Sequence, residues 1–367
     1  MTEPAPVELL AALLAAAKSQ GADAADALLV ATTALAVTRR LGRIEHLERS
    51  ESREAGLRVF VGGRVAIVST ERIDPREFPS LAERAVAMAR VVPLDPHSRL
   101  APAAAPRDAA PLDLMDPIAP QPEQLLAQAA AAEEAALAAT GITNSEGAEA
   151  GFTKAEIALA TSVGFQGSYA RTGHSLSAVA VAGSGTGMQR DYEFTSAVHR
   201  ADLEDAATVG ATAAERAVAR LGPGRPPTAR LPIVYEARVA GSLLGHLAAA
   251  INGSAVARGT SFLKDRLGSA VFDAEVTIHD DPLRRRGLRS RPFDAEGLAT
   301  SARPLVRKGR LESWLLDLAS AHQLGLASTG HARRAPSGPP QPAPSNLYLA
   351  PGPLAPAALM ADIEEGL

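Results

Sequence analysis

Apolar residues recur on a helical period over 7–19, with Pro6 just ahead, which predicts a helix whose first N–H is dispensable. Residues 27–37, rich in Val, Leu and Thr after the turn at Gly21, predict a buried strand. Two β-rich runs, GLRVFV and RVAIVST, flank Gly62-Gly63 within 55–70 and predict a tight hairpin. Asp74-Pro75 opens a helix through Met88, with Leu81, Ala85 and Met88 on one face. Proline and alanine then dominate 92–122, a long loop, before an alanine-rich helix over 124–139. Strand-like segments follow at 155–161, 176–182 and 191–198, and an amphipathic helix at 203–221.

The run Gly222-Pro223-Gly224-Arg225-Pro226-Pro227 breaks every period. It divides the chain into an N-terminal α+β domain at 1–221, a linker at 222–229 and a C-terminal β-rich domain at 230–367. In the second half, short strands are expected at 231–235, 276–279 and 346–350, with a hairpin of 305–308 and 311–315 about Gly309. A short helix is expected at 317–324, a Gly/Pro-rich loop at 328–344 and a helix after Pro356. Hairpins mixed with helices, without regular strand–helix alternation, favour an α+β fold with mixed or antiparallel sheets and packed helices.

Composition narrows the functional classes. The 367 residues carry a net charge of −4, which argues against a broad nucleic-acid footprint. Zero cysteines exclude disulfides, thiolate ligands and a cysteine nucleophile. The start MTEPAPVELL lacks a basic signal region, and 27–37 is too short to span a bilayer, so a cytoplasmic protein is expected.

Most motif-like features have plainer explanations. The GSGTG run at 183–187 lacks the Lys-Ser/Thr of a P-loop and reads as a turn. His279-Asp280-Asp281 offers three ligand types, but neighbours on a strand point to opposite faces, and the following proline favours a solvated turn. His174, His322 and His331 lie beside Ser or Thr without a nucleophile elbow. Arg284, Arg285, Arg286, Arg289 and Arg291 lack interleaved aromatics and suit a solvated turn or an acidic partner surface.

Several long runs in order carry a resemblance. They are EAGLRV at 54–59 with its Gly-Gly hairpin, LLGHLAAAINGSAVARGTSFLKDRLG at 243–268, DDP with RGLRSRPFDAEG, WLLDLASAHQLGLASTGHA and SNLYLAPG. With them the chain resembles the PmbA (TldE) branch of the TldD/PmbA family, whose members are also called modulators of DNA gyrase. The resemblance implies a heterodimeric zinc metallopeptidase acting on unfolded or flexible peptides, in peptide-antibiotic maturation and antitoxin degradation. Its catalytic TldD partner carries HExxxH, two His ligands and a general-base Glu, with a further ligand from a C-terminal cysteine. Matched on Leu243-Leu244, the first His position is Gly245, the Glu position His246 and the second His position Ala250. None keeps its role, so no catalytic residue and no metal are expected in this chain, and zinc is expected in the partner.

The family continues past the position of Leu367 with a strand-rich segment. Its absence here would leave an open sheet edge bearing on dimerisation. The expected role is a non-catalytic subunit that pairs with the HExxxH chain and holds extended substrate. Asn252, Ser254, Arg258, Thr260, Ser261 and Lys264 form its candidate partner or substrate surface, or alternatively cap the second domain. Two other readings remain open: a non-proteolytic homodimeric regulator contacting a folded partner such as DNA gyrase, and an autonomous hydrolase.

Overall fold

A computed structural model describes residues 4–226 and 228–366; Met1 to Glu3 at the start, Pro227 of the expected linker and Leu367 lie outside the described residues. The chain order is α1 (Pro6–Ser19), β1 (Ala24–Arg40), β2 (Arg43–Val61), β3 (Arg64–Thr70), α2 (Phe78–Val91), α3 (Pro122–Ala138), β4 (Ile142–Thr161), β5 (Gln166–Ala182), β6 (Gln189–Ala197) and α4 (Ala206–Ala219). After it come α5 (Ala237–Ala250), α6 (Gly253–Ala257), β7 (Ile278–Asp280), β8 (Arg303–Arg307), β9 (Arg310–Leu311), α7 (Leu318–Gln323), β10 (Ala332–Arg333), β11 (Gln341–Pro342), β12 (Leu347–Leu349) and α8 (Pro356–Met360).

The first ten elements build one antiparallel sheet, in the order β3-β2-β1-β4-β5-β6, with helices on one face. Alternation along β1 decides which face each residue serves. Ala25, Ala27 and Leu29 pack beneath α1 and α2, and Leu35 and Val37 pack beneath α3 and α4. Leu28 instead faces the other way and meets Phe293 of the second half. The α+β class therefore holds, and every named strand pair is antiparallel.

The hairpin about Gly62-Gly63 forms as expected, both glycines having positive φ. A second hairpin escaped the hydrophobic pattern. β1 and β2 are 17 and 19 residues long and turn at Leu41-Gly42. Residues 43–52 of β2 are exposed and largely charged, so they show no alternation for the sequence to betray. β3 pairs only with 55–61, leaving 43–52 at the sheet edge.

The second half is built from strands of two to five residues around Leu247, Ile251, Leu305, Leu311, Trp314 and Leu315. Several expectations are corrected here. No strand forms at 231–235, where Pro232 removes a ladder donor. The strand expected over 311–315 is confined to Arg310–Leu311, because Leu315 turns instead to bridge Asn252. α2 begins at Phe78, three residues past Pro75, and the loop at 328–344 contains the β10–β11 ribbon.

The two halves meet closely at Gly56 in β2. A Cβ placed there would lie 1.8 Å from the Pro336 carbonyl oxygen. Glycine is required because backbone meets backbone, and nothing flexible can yield. Gly56→Ala is expected to destabilise the protein by on the order of 3 kcal/mol. A urea-melt midpoint unchanged by this substitution would show that the halves do not meet as described.

Candidate functional site

The stretch 241–268 begins in α5, whose residues spaced by three and four divide between core and solvent. Leu244, Leu247, Ala248 and Ile251 join the core of the second half. Val239 and Leu243 face out, 52% and 47% exposed. Gly245 and His246 are also exposed, whereas Ala250 is buried and its carbonyl accepts a hydrogen bond from the Ser261 hydroxyl. A Cβ at Gly245 would meet nothing within 4 Å. Gly245 and Ala250 thus carry no side-chain donor atom, and His246 is a lone imidazole. Among the described residues no group of three or more His, Asp or Glu could hold a metal ion. This donor set does not fit zinc, which takes three protein ligands in a catalytic site.

The polar turn divides by role. Asn252 caps α6, its side-chain oxygen accepting from the N–H groups of Ser254 at 3.0 Å and Ala255 at 3.4 Å. Its amide donates to the Pro342 carbonyl at 2.8 Å. Ser261 is buried and also accepts from the Leu263 N–H at 3.0 Å. Thr260 donates to the Ala255 carbonyl at 3.1 Å but remains exposed, as do Arg258 and Lys264, and Ser254 is half-buried. Between them Phe262 is 84% exposed, an apolar contribution that a reading for polar chemistry passed over.

Asp280 overturns the expected solvated turn. It ends β7 fully buried, where its carboxylate accepts from the Ser345 N–H at 2.7 Å and hydroxyl at 2.6 Å. The His331 Nε2 lies 3.1 Å away, and its Nδ1 is 2.7 Å from the Thr329 hydroxyl. Burial raises the Asp280 pKa, but the bonds from His331 and Ser345 outweigh it and hold the carboxyl below its ordinary range. The acid stands between serine and histidine, so no base reaches the hydroxyl and the group is not a nucleophilic triad. Two members of the basic cluster find acids within the chain. Arg285 and Arg286 reach Asp113 at 2.7 and 2.6 Å, and Arg286 reaches Asp202 at 2.9 Å.

A buried ionic cluster joining the halves was not foreseen. The Asp26 carboxylate accepts from Arg58 Nε at 2.8 Å, and Arg334 Nη1 stands 2.6 Å away, off the hydrogen-bond axis. Burial pushes Asp26 up, yet the guanidiniums of Arg334 and Arg58 prevail and keep its carboxyl low. Glu296 lies 3.9 Å from Arg58. Burial, and then Asp294, push the Glu296 carboxyl up to about 8, so at neutral pH it is mainly a protonated acid rather than an ion-pair partner. A charged residue at Arg58 within a strand of apolar neighbours was the available signal.

Fold and site together define an α+β protein whose helix α5 offers no side-chain metal donor at Gly245 or Ala250. Domain models of the PmbA/TldA metallopeptidase match at residues 25–89 (domain 1), 116–221 (central domain) and 228–367 (C-terminal domain). The chain belongs to this PmbA/TldD family. It is 36% identical to the metalloprotease PmbA of Escherichia coli O157:H7 over 321 residues, covering 87% of this chain and 71% of that protein. A PmbA homologue of Haemophilus influenzae is 32% identical, with 84% and 69% covered. A crystal structure from Bacteroides thetaiotaomicron, named as a candidate modulator of DNA gyrase, superposes with a TM-score of 0.84 at 25% identity, covering 98% of this chain and 80% of that one. TldE from Thermococcus kodakarensis shares the fold, with a TM-score of 0.82 at 17% identity and 98% and 81% covered.

Two measurements test these assignments. Gly245→Ala adds a methyl into open space within a helix and is expected to stabilise by about 0.5–1 kcal/mol; a loss would contradict the placement. Glu296 keeps its proton up to about pH 8 when folded, against an ordinary value of 4.5. Its stabilising contribution is thus complete below 4.5 and is lost as pH rises towards 8. Urea melts across this window should show Glu296→Gln gaining on the unaltered chain with rising pH, by on the order of a few kcal/mol. Parallel curves for the two proteins would refute the buried neutral acid.

Proposed function

We propose that this chain is the non-catalytic, PmbA-like subunit of a two-subunit zinc metallopeptidase that matures or degrades flexible peptides. The observation carrying this reading is the absence of metal donors at Gly245 and Ala250, on a helix that otherwise retains an ordered, packed position in a metallopeptidase family. Zinc would belong to the TldD-like partner. Val239 and Leu243, four residues apart on α5, and Phe262 in the turn after α6 are exposed apolar side chains suited to that partner, and the exposed Arg258, Thr260 and Lys264 near Phe262 in the chain suit it too. The open β2 edge at 43–52 supports capture of extended substrate by strand addition. On this reading 1–221 and 230–367 act as two domains about the linker 222–229, in the cytoplasm. Among the described residues no helix is long and apolar enough to cross a membrane.

Co-expression with a TldD-like chain should give a heterodimer whose peptidase activity exceeds that of either chain alone. Leu243→Arg and Phe262→Glu are each expected to weaken association roughly tenfold or more while leaving the thermal transition in place. If no complex forms, or activity is indifferent to this chain, the subunit role fails. A second reading, a homodimeric regulator without proteolytic function, is favoured by the relative named for DNA gyrase. Recovery of gyrase without a peptidase chain from a lysate pull-down would support it instead.

A further inference from the structure

The sheet face opposite α1 to α4 carries a cavity of about 390 Å³ beneath the second half. Leu28 and Val30 of β1, Ile157 and Leu159 of β4, and Phe293 give it an apolar wall. Five arginines also line it: Arg171 of β5, Arg289, Arg291, Arg333 and Arg334. The Arg334 side chain is 97% buried, from a relative exposure of 3%, and only one of its nitrogens is engaged, with Asp26. Its Nε and Nη2 have no hydrogen-bond acceptor among the described residues, and the same holds for Nε and Nη2 of Arg291.

Charge around the cavity is unbalanced. Burial, and beyond it the charges of Arg333, Arg289 and Arg291, depress the Arg171 pKa despite an opposing effect of Tyr169. The one carboxyl on the wall, Asp294, is already spent on the N–H groups of Glu296, Leu298 and Ala332. Burial raises its pKa, which lessens the negative charge it brings. A buried guanidinium is normally paired, so the unpaired donors of Arg291 and Arg334, on a cavity lined by three further arginines and by apolar side chains, point to the missing group.

We infer that this cavity binds an apolar carboxylate: the free C-terminus of a peptide ending in an apolar residue, or a monocarboxylate of similar size. Guanidinium forks match the two oxygens of a carboxylate, and Leu28, Leu159 and Phe293 receive the apolar chain. Inorganic phosphate would satisfy the arginines but leave that wall unused. The volume lies at the small end of ligand pockets, with room for roughly one or two residues. This site is on the sheet face, apart from α5, and does not depend on pairing with a catalytic chain.

Calorimetric titration of the full chain tests it, using acetyl-Ala-Leu as the free acid and as the C-terminal amide, hexanoate, and inorganic phosphate. The free acid should bind on the order of tenfold or more tightly than the amide, and the difference should shrink with added salt. Arg291→Gln should weaken the acid about tenfold while retaining the unaltered melting transition. Should that variant not fold, the acid-against-amide comparison on the unaltered chain still decides. The peptide acid binding more tightly than hexanoate assigns the site to peptide C-termini, and the reverse order assigns it to free monocarboxylates. Equal binding of acid and amide, displacement of the acid by phosphate at equal concentration, or no binding of either acid overturns the proposal.

Discussion

The contact that unites this protein is electrostatic and almost dry. Asp26, near the start of β1, and Arg58, near the end of β2, face each other across adjacent strands of the large sheet, and Arg334 descends from the second half to share the same carboxylate. Glu296 closes the group as a neutral acid. Taking such groups out of water is costly, and removing one member of a buried pair commonly destabilises by about 3–5 kcal/mol. The geometry nearby is therefore narrowly fixed: Gly56 admits the Pro336 backbone two residues from Arg58, and the halves cannot slide past each other without exposing unmatched charge. The arginine-lined cavity lies alongside and includes Arg334 in its wall.

Elements with one buried face were legible from the sequence. α1, the Gly62-Gly63 hairpin, the alanine-rich α3 and the α+β class follow from periodicities that burial imposes. The outer ten residues of β2 were not, because 43–52 is exposed and charged and its strand character comes from pairing with β1. The short strands of the second half were blurred for a related reason. Two or three residues cannot display a period, and their positions are set by long-range contacts such as Leu315 against Asn252.

The site shows the same division. Gly245, His246 and Ala250 could be judged on chemistry alone, since glycine and alanine offer no ligand wherever they are placed. The polar turn could not, because capping residues and surface residues draw on the same side chains. Only the fold separates Asn252 and Ser261, committed to internal bonds, from the exposed Arg258 and Lys264. Asp280 was misjudged by proximity to Pro282, its burial being supplied by Ser345 and His331 from far along the chain.

Asp26 and Arg334 also bear on the order in which the molecule assembles. During synthesis the sheet strands emerge first, so Asp26 and Arg58 can pair while still bathed in water. Their guanidinium lid arrives only when position 334 leaves the ribosome, after every strand of the large sheet has been made. The first half must therefore wait, partly uncovered, for a late closing step, and this interval is when the nascent protein is most open to chaperones and proteases.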